Sequence, residues 1–503
     1  MPDAARPSSR DSYVCSLARQ LRSRGSSLMN GRFSPLMLAM LAFVLLPNLP
    51  YYGWLGRFTP TRALINIDYL LLGIAAPFLS PMLVIIGFIL LALLDAFVFI
   101  STLYHFTPRE LMLSFTYARY SPIKLNDLPL LDMMTTAVTM IVAITLAQRV
   151  AALRRWSGSL LLALLLVMLM VLDIGNGTNT YGLFTHLPFY TRIQRVAVNP
   201  VNSGLLASDP AAFLPTRHKP TMAKADSASR IALGLWRGLP VRGTDGTNIA
   251  LVLVESWGQI DDRPALTRAI VAPLLTREIA ARYDVRLGSI GFRGSTTSAE
   301  LRELCGLRGS YRDLFSLPRF RCLPDTFHAM GYDVTGMHGF HGDMFDRTSW
   351  WPYLGIQRHV FMDDFRRVGN VRTCGTAFPG VCDEDLIRVA ADRLRSSHQF
   401  VYALTLNSHL PLGEVRDVAT SLWCGKLPVP LDDERCALAE QWHRVFATLA
   451  RHTMRADVRP TQFIIVGDHS PPLLGVANRN FSARQVPYIL LTPRAVMERS
   501  SRR

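Results

Sequence analysis

Four residues scattered along the chain, Glu255, Thr296, Asp468 and His469, have the side-chain types of a divalent-metal site. Carboxylates and an imidazole are ordinary ligands for zinc or manganese. A threonine hydroxyl is a poor nucleophile near neutral pH, and a cation on its oxygen is a physical way to favour the alkoxide. The set therefore suits a threonine nucleophile activated by a bound cation. Each piece is weak alone. A glutamate after an apolar run is more often a cap or loop residue, and Asp-His is an unspecific dipeptide.

What strengthens the set is the elements that must position it. Four apolar runs of buried-strand length, Asn248 to Val254, Tyr332 to Met337, Phe400 to Leu406 and Gln462 to Val466, alternate with helical patterns and predict a doubly wound α/β sheet. They lead into Glu255, into His338, into Asn407, Ser408 and His409, and into Asp468 and His469. Ligands of open α/β sheets bind outside the carboxyl ends of the strands, so these distant residues are expected to converge. The stretch Gly294 to Glu300 opens a helix, in which Thr297 and Glu300 have capping-box spacing. Thr296 then stands just before the helix N-terminus, where backbone N–H groups and the helix dipole favour an alkoxide or a phosphate.

The 503 residues have a mean hydropathy of +0.19, too apolar on average for a wholly soluble chain. The excess lies before residue 175. Five apolar segments, Ser34 to Leu49, Leu64 to Leu79, Pro81 to Tyr104, Leu131 to Val150 and Gly158 to Ile174, predict a five-span anchor; Pro47, Pro50 and Pro77 shorten the first two, which leaves four as the alternative. Arg6, Arg10, Arg19, Arg22, Arg24 and Arg32 before the first span, and Arg149, Arg154 and Arg155 between the last two, are expected in the cytoplasm. Five spans then put the C-terminal part outside; four would keep it inside. The cysteines favour outside: Cys15 alone precedes the spans, and Cys305, Cys322, Cys374, Cys382, Cys424 and Cys436 form an even set beyond them. Of the pairings open to six cysteines, neighbours are favoured: 305 with 322, 374 with 382, and 424 with 436. The expected division is a cytoplasmic tail over 1–33, a membrane part over 34–175, a linker over 176–245 and a catalytic domain over 246–503. Asp95, inside the third span, is expected to meet a partner on another helix.

The net charge of +16 comes almost entirely from scattered arginine, with lysine only at 124, 219, 224 and 426. No basic stripe or aromatic platform accompanies it, which argues against nucleic acid as a partner. Attraction to anionic lipid headgroups is the more natural use.

Val254-Glu255-Ser256-Trp257, the Gly-x-Thr-x-x-x-Glu stretch at 294–300 and Gly467-Asp468-His469 resemble the alkaline-phosphatase and sulfatase superfamily, in its lipoteichoic acid synthase-like and phosphoethanolamine transferase branch. The resemblance covers the catalytic part and extends to the five-span anchor. It implies an α-helical transmembrane anchor followed by a sulfatase-like α/β domain on the outer face of a bacterial inner membrane. It implies that Glu255, Thr296, Asp468 and His469 bind one divalent ion, zinc or manganese, with Thr296 also the nucleophile. By the same resemblance, His338, Phe345, Arg347 and His409 line the pocket for the donor's phosphate and headgroup. The expected partners are a phospholipid donor and a glycan or glycolipid acceptor. The Cys374 and Cys382 pair resembles the phosphoethanolamine enzymes and the His338 to Arg347 spacing the phosphoglycerol ones, so the headgroup stays open. A phosphodiesterase using water is the second reading and a non-catalytic envelope assembly protein the third. Sulfate-ester hydrolysis is disfavoured, since 294–300 lacks the Cys/Ser-x-Pro-x-Arg context that sulfatases need.

Overall fold

The computed structural model describes residues 34–53, 65–106, 108–120, 130–154, 156–176, 222–234, 246–260, 264–412, 433–473, 481–482 and 484–494. The chain forms two compact units. One holds the described residues of Met1–Trp54, Arg62–Ala96 and Pro129–Ser208; the other holds those of Leu55–Thr61, Phe97–Leu128 and Asp209–Arg503.

The apolar stretches form α1 (Pro35–Met40, continued by a π-helical turn), α2 (Ile67–Ala75) and α3 (Pro81–Leu103), then, after a short α4 (Pro108–Ser114), α5 (Leu130–Leu153) and α6 (Trp156–Asn176). Two segments are long and apolar enough to cross a membrane: Pro81–Ser101, with mean hydropathy 3.0, and Met134–Leu153, with 1.7. Only 24% and 28% of these windows is buried, and Leu83, Leu90, Leu93, Val138 and Ile141 are exposed, unlike the core helices of a soluble domain. Shorter apolar stretches lie at Pro35–Leu45, Asp68–Phe78 and Trp156–Leu169. Of the five expected spans, two combine that length and hydropathy among the described residues. Asp95, the only acid of α3, is buried.

The second unit is built on a seven-stranded sheet of β1 (Asn248–Val254), β2 (Tyr283–Gly291), β3 (Asp333–His338), β4 (Arg358–Val360), β5 (Gln399–Leu404), β6 (Thr461–Gly467) and β7 (Gln485–Pro493). Their spatial order is β2-β7-β6-β1-β5-β3-β4. The strands from β6 to β4 are parallel, and β7 is antiparallel to both its neighbours. Helices α7 (Thr296–Cys305) and α8 (Arg347–Tyr353) lie on one face, α9 (Asp383–Arg393) and α10 (Asp433–Thr453) on the other.

The period of two along each strand explains the layering. Ala250, Val252 and Val254 of β1 pack with Leu386 of α9 and Trp442 and Phe446 of α10, whereas Ile249, Leu251 and Leu253 pack with Leu301 and Leu304 of α7 and Trp350 and Trp351 of α8. A strand covered on both faces needs apolar residues at every position, which is why β1 reads as one continuous run. Of the expected linker, 222–234 belongs to this unit: Ala223–Lys224 pairs with Leu307–Arg308, and the helix Ala228–Leu233 buries Ala228 and Leu233 in the core.

Parallel register brings the strand ends level. Val254 pairs with Gly467, Leu253 with Leu404, and Leu404 with His338. β3 runs through His338 and β5 stops at Leu404, so the first strand-end histidine closes its strand while Asn407, Ser408 and His409 lie beyond theirs. Disulfides join Cys305 to Cys322, at the end of α7, and Cys374 to Cys382, just before α9. Cys436 is also disulfide-bonded, and Cys424 lies outside the described residues.

A Cβ at Gly467 would collide with the Trp257 carbonyl oxygen. Gly467→Ala must push β6 away from the turn that carries Glu255. We expect a loss of about 2 kcal/mol or more, read as a lower urea midpoint.

Candidate active site

Glu255 follows β1, Asp468 and His469 follow β6, and Thr296 is the first residue of α7. Thr296 Oγ1 lies 3.3 Å from Glu255 Oε2 and 3.4 Å from His469 Nε2. His469 Nε2 is 3.3 Å from Asp468 Oδ2 and 3.7 Å from Glu255 Oε1. One donor atom from each of Glu255, Asp468 and His469 falls within a 4.8 Å cluster. The four expected ligands therefore meet at one point.

The local geometry is heavily braced. Glu255 donates its N–H to Thr405 Oγ1 at 2.9 Å, and its carbonyl accepts from Ser408 Oγ at 2.6 Å and from Trp442 Nε1 at 3.2 Å. Asp468 Oδ1 accepts the backbone N–H groups of Ser256, at 2.7 Å, and His469, at 2.6 Å. Ser256 holds φ at +53, a left-handed conformation costly for serine and sustained by these bonds. Gly294, with φ at +79, makes the turn before α7. Arg302 on α7 donates to the carbonyls of Gly467, at 2.7 Å, and Asp468, at 3.1 Å, locking the helix to the end of β6.

The donor set fits a divalent cation. Asp468 Oδ2 is buried without a hydrogen-bond partner. His469 Nδ1 donates to the Ser470 carbonyl at 2.9 Å, since a carbonyl can only accept, and this leaves the Nε2 lone pair toward the cluster. Burial pushes the Glu255 carboxyl up to about 7, against hydrogen bonds led by Ser256. Burial, and then the charge of Glu255, push Asp468 up to about 7. Arg302 is matched by Glu303 at 2.7 Å and Arg347 by Glu300 at 3.0 Å, and the Arg347 charge opposes the rise at Glu255 less than burial drives it.

The expected headgroup residues take up distinct positions. His338 is buried, donates from Nδ1 to the Leu404 carbonyl at 3.2 Å, and is held well below the usual histidine range by burial and by Arg347. His409 donates from Nδ1 to the Leu410 carbonyl at 2.7 Å, and burial lowers it to about 4. Both are neutral rings with an Nε2 lone pair. Arg347 is buried, with Nε and Nη2 on Glu300 and Nη1 on the Met344 carbonyl. Phe345 lies 5.5 Å from the Arg347 guanidinium.

Glu300 does not complete a capping box with Thr297. Ser295 is the N-cap, and Glu300 accepts from Arg347, Trp351 Nε1 and Tyr402. The spacing was right for a cap, but the buried cation outcompetes a backbone N–H for the carboxylate. Asp383 was not foreseen. It accepts the N–H groups of Leu406 and Asn407, at 2.8 and 2.9 Å, and so pins the loop that carries His409. Its acidic first-turn run beside Cys382 was the available signal.

No family model and no curated protein matches the chain. Among solved structures, the chain is similar to the lipoteichoic acid synthase LtaP of Listeria monocytogenes, with 14% identity and a TM-score of 0.38 over 49% of this chain and 66% of that one. It is similar to the Streptococcus pyogenes phosphoglycerol transferase GacH in complex with sn-glycerol-1-phosphate, with 15% identity and a TM-score of 0.37 over 54% and 76%. It is also similar to the zinc complex of the C-terminal periplasmic domain of Escherichia coli EcEptC, with 13% identity and a TM-score of 0.34 over 50% and 74%.

The site generates two predictions. Glu300→Gln leaves the buried Arg347 charge unmatched and should cost about 3–5 kcal/mol in a urea melt. The second concerns pH. With folded-state values raised to about 7, the metal-free protein holds protons on Glu255 and Asp468 that the unfolded chain releases near pH 4. Their stabilising contribution is complete below the unfolded values and lost as pH rises through about 7. A cation requires both groups ionised, so the rise in melting temperature on adding zinc or manganese should be larger at pH 8 than at pH 5.5. A pH-independent rise would contradict the site.

Proposed function

We propose that this chain is a membrane-anchored, metal-dependent transferase that moves a phosphoglycerol or phosphoethanolamine headgroup from a phospholipid to a hydroxyl of an envelope glycan or glycolipid. The observation that carries this is the meeting of Thr296 Oγ1 with Glu255 and His469 at the start of α7, beside the unpartnered Asp468 Oδ2. The exposed apolar faces of the Pro81–Ser101 and Met134–Leu153 helices support the anchor.

Glu255, Thr296, Asp468 and His469 would hold the zinc or manganese ion. When bound, the ion supplies positive charge that favours the alkoxide of Thr296 and the charge on a phosphoryl group. Thr296 Oγ1 attacks the donor phosphorus; the new Oγ–P bond replaces the bond to the diacylglycerol oxygen, which leaves with a proton. The acceptor hydroxyl then attacks the phosphothreonine, and the Thr296 oxygen departs. Phosphoryl charge falls to the N-terminus of α7, because the guanidinium of Arg347 is engaged by Glu300. His338 and His409, neutral with Nε2 free to accept, suit the hydroxyl of glycerol, the ammonium of ethanolamine, or the proton of the attacking acceptor. Phe345 would stand beside the headgroup, and Arg347 would act through the groups it holds.

Thr296→Ala should abolish turnover of a labelled phospholipid while the folded protein keeps its melting profile. Mass spectrometry of a peptide containing Thr296, after exposure to donor without acceptor, should show a phosphoglycerol or phosphoethanolamine adduct. Retained turnover in the alanine variant would sink the mechanism. Free headgroup phosphate as the sole product, with a glycan acceptor present, would favour hydrolysis.

A further inference from the structure

The second unit contains more than the α/β core: Phe97–Leu128 belongs to it as well. His105, two residues past α3, reaches the metal cluster. Its Nε2 is 3.0 Å from the Ser470 carbonyl oxygen, and its ring is 5.3 Å from that of His469 and 5.2 Å, edge-on, from Phe292. A carbonyl oxygen only accepts, so His105 Nε2 carries the hydrogen. The same oxygen accepts Nδ1–H of His469 at 2.9 Å. Two rings thus converge on one acceptor, and the placing of that acceptor sets the direction of His469 Nε2.

The segment is docked a second time farther on. Tyr117 accepts from Arg312 Nη2 at 3.2 Å, its hydroxyl is 3.3 Å from that of Tyr311, and its ring is 5.1 Å from Phe345. Arg312 Nη1 and the Tyr311 hydroxyl both reach Asp346 Oδ2, at 3.4 and 3.1 Å. Phe345 and Asp346 have φ of +58 and +55, two consecutive left-handed residues that only firm surroundings sustain. Tyr120 adds a ring contact to His341 at 5.3 Å. A segment that follows an apolar helix is therefore fastened to the site at both its metal side and its Phe345 side.

We propose that His105 is a positioning residue of the metal site: through the shared Ser470 carbonyl it orients the ligand His469, so the segment carrying it completes the site of the α/β core. This rests on the metal-site reading above. Partners of a ligating histidine's outer nitrogen matter because they hold its tautomer and ring plane, and their loss lowers metal affinity. His105 contributes a second donor to that same partner oxygen. Without it, the carbonyl and the His469 ring gain freedom to turn.

The test is a titration of the metal-free, full-length chain in detergent with Co2+, whose visible absorption reports ligation without any substrate. His105→Ala should weaken Co2+ binding by about 10- to 100-fold. His105→Gln, which keeps an N–H donor at similar reach, should recover most of the affinity. Wild-type affinity in the alanine variant would overturn the proposal, as would equal weakening in both variants accompanied by equally lowered melting temperatures, which marks damage to the fold alone. A chain whose Co2+ affinity depends on His105 but that transfers no headgroup would instead overturn the transferase reading and leave this one standing.

Discussion

The hydrogen-bonded register of the parallel strands is the constraint on which the rest of the molecule depends. Val254 opposite Gly467, Leu253 opposite Leu404 and Leu404 opposite His338 make β1, β3, β5 and β6 end together. A slip of one residue would exchange the two faces of a strand and bury the wrong side chains on each. Because both faces of β1 are packed, such a slip costs core on both sides at once. Glu255 and Asp468 therefore inherit their proximity from the core, and their own attraction to a cation need not create it.

Electrostatics explains why such a cluster calls for a cation. Two carboxylates share a site from which water is largely excluded, and each is held partly protonated near neutral pH by that burial. The arginines close by are already matched: Glu303 takes Arg302, and Glu300 takes Arg347. Those pairs serve as struts between α7, α8 and the end of β6, and the Arg347 charge opposes the rise at Glu255 less than burial drives it. His338 and His409 are neutral, so they offer acceptors and no positive charge.

Much of this was legible in the chain itself. The continuous apolar run of Asn248–Val254 announces a strand covered on both faces, and the polar residue after it announces a site at the strand end. A helix opening within Gly294 to Glu300 was legible, but the sequence put Thr296 just before it and the structure makes Thr296 its first residue. The Cys305 and Cys322 pair, and the Cys374 and Cys382 pair, followed from nearness in sequence. The membrane part was harder. Apolar content marks all five stretches, and among the described residues two helices combine the length and hydropathy that a membrane crossing needs.

The sequence by itself determined the residue types of the site, the strands that lead into them and a helix opening beside Thr296, because these follow from side-chain chemistry and local periodicity. Only the tertiary structure decided what each side chain would meet. Glu300 has the spacing of a cap and instead holds Arg347, since a buried guanidinium is a stronger partner than a helix-end N–H. Arg347 has the charge to meet a phosphate and spends it on Glu300. Asp383 pins the loop of His409, and His105 reaches Ser470, across sequence separations that no local pattern records. Such pairings are chosen by competition among all the polar groups that folding buries together, and that competition does not exist until the core has formed.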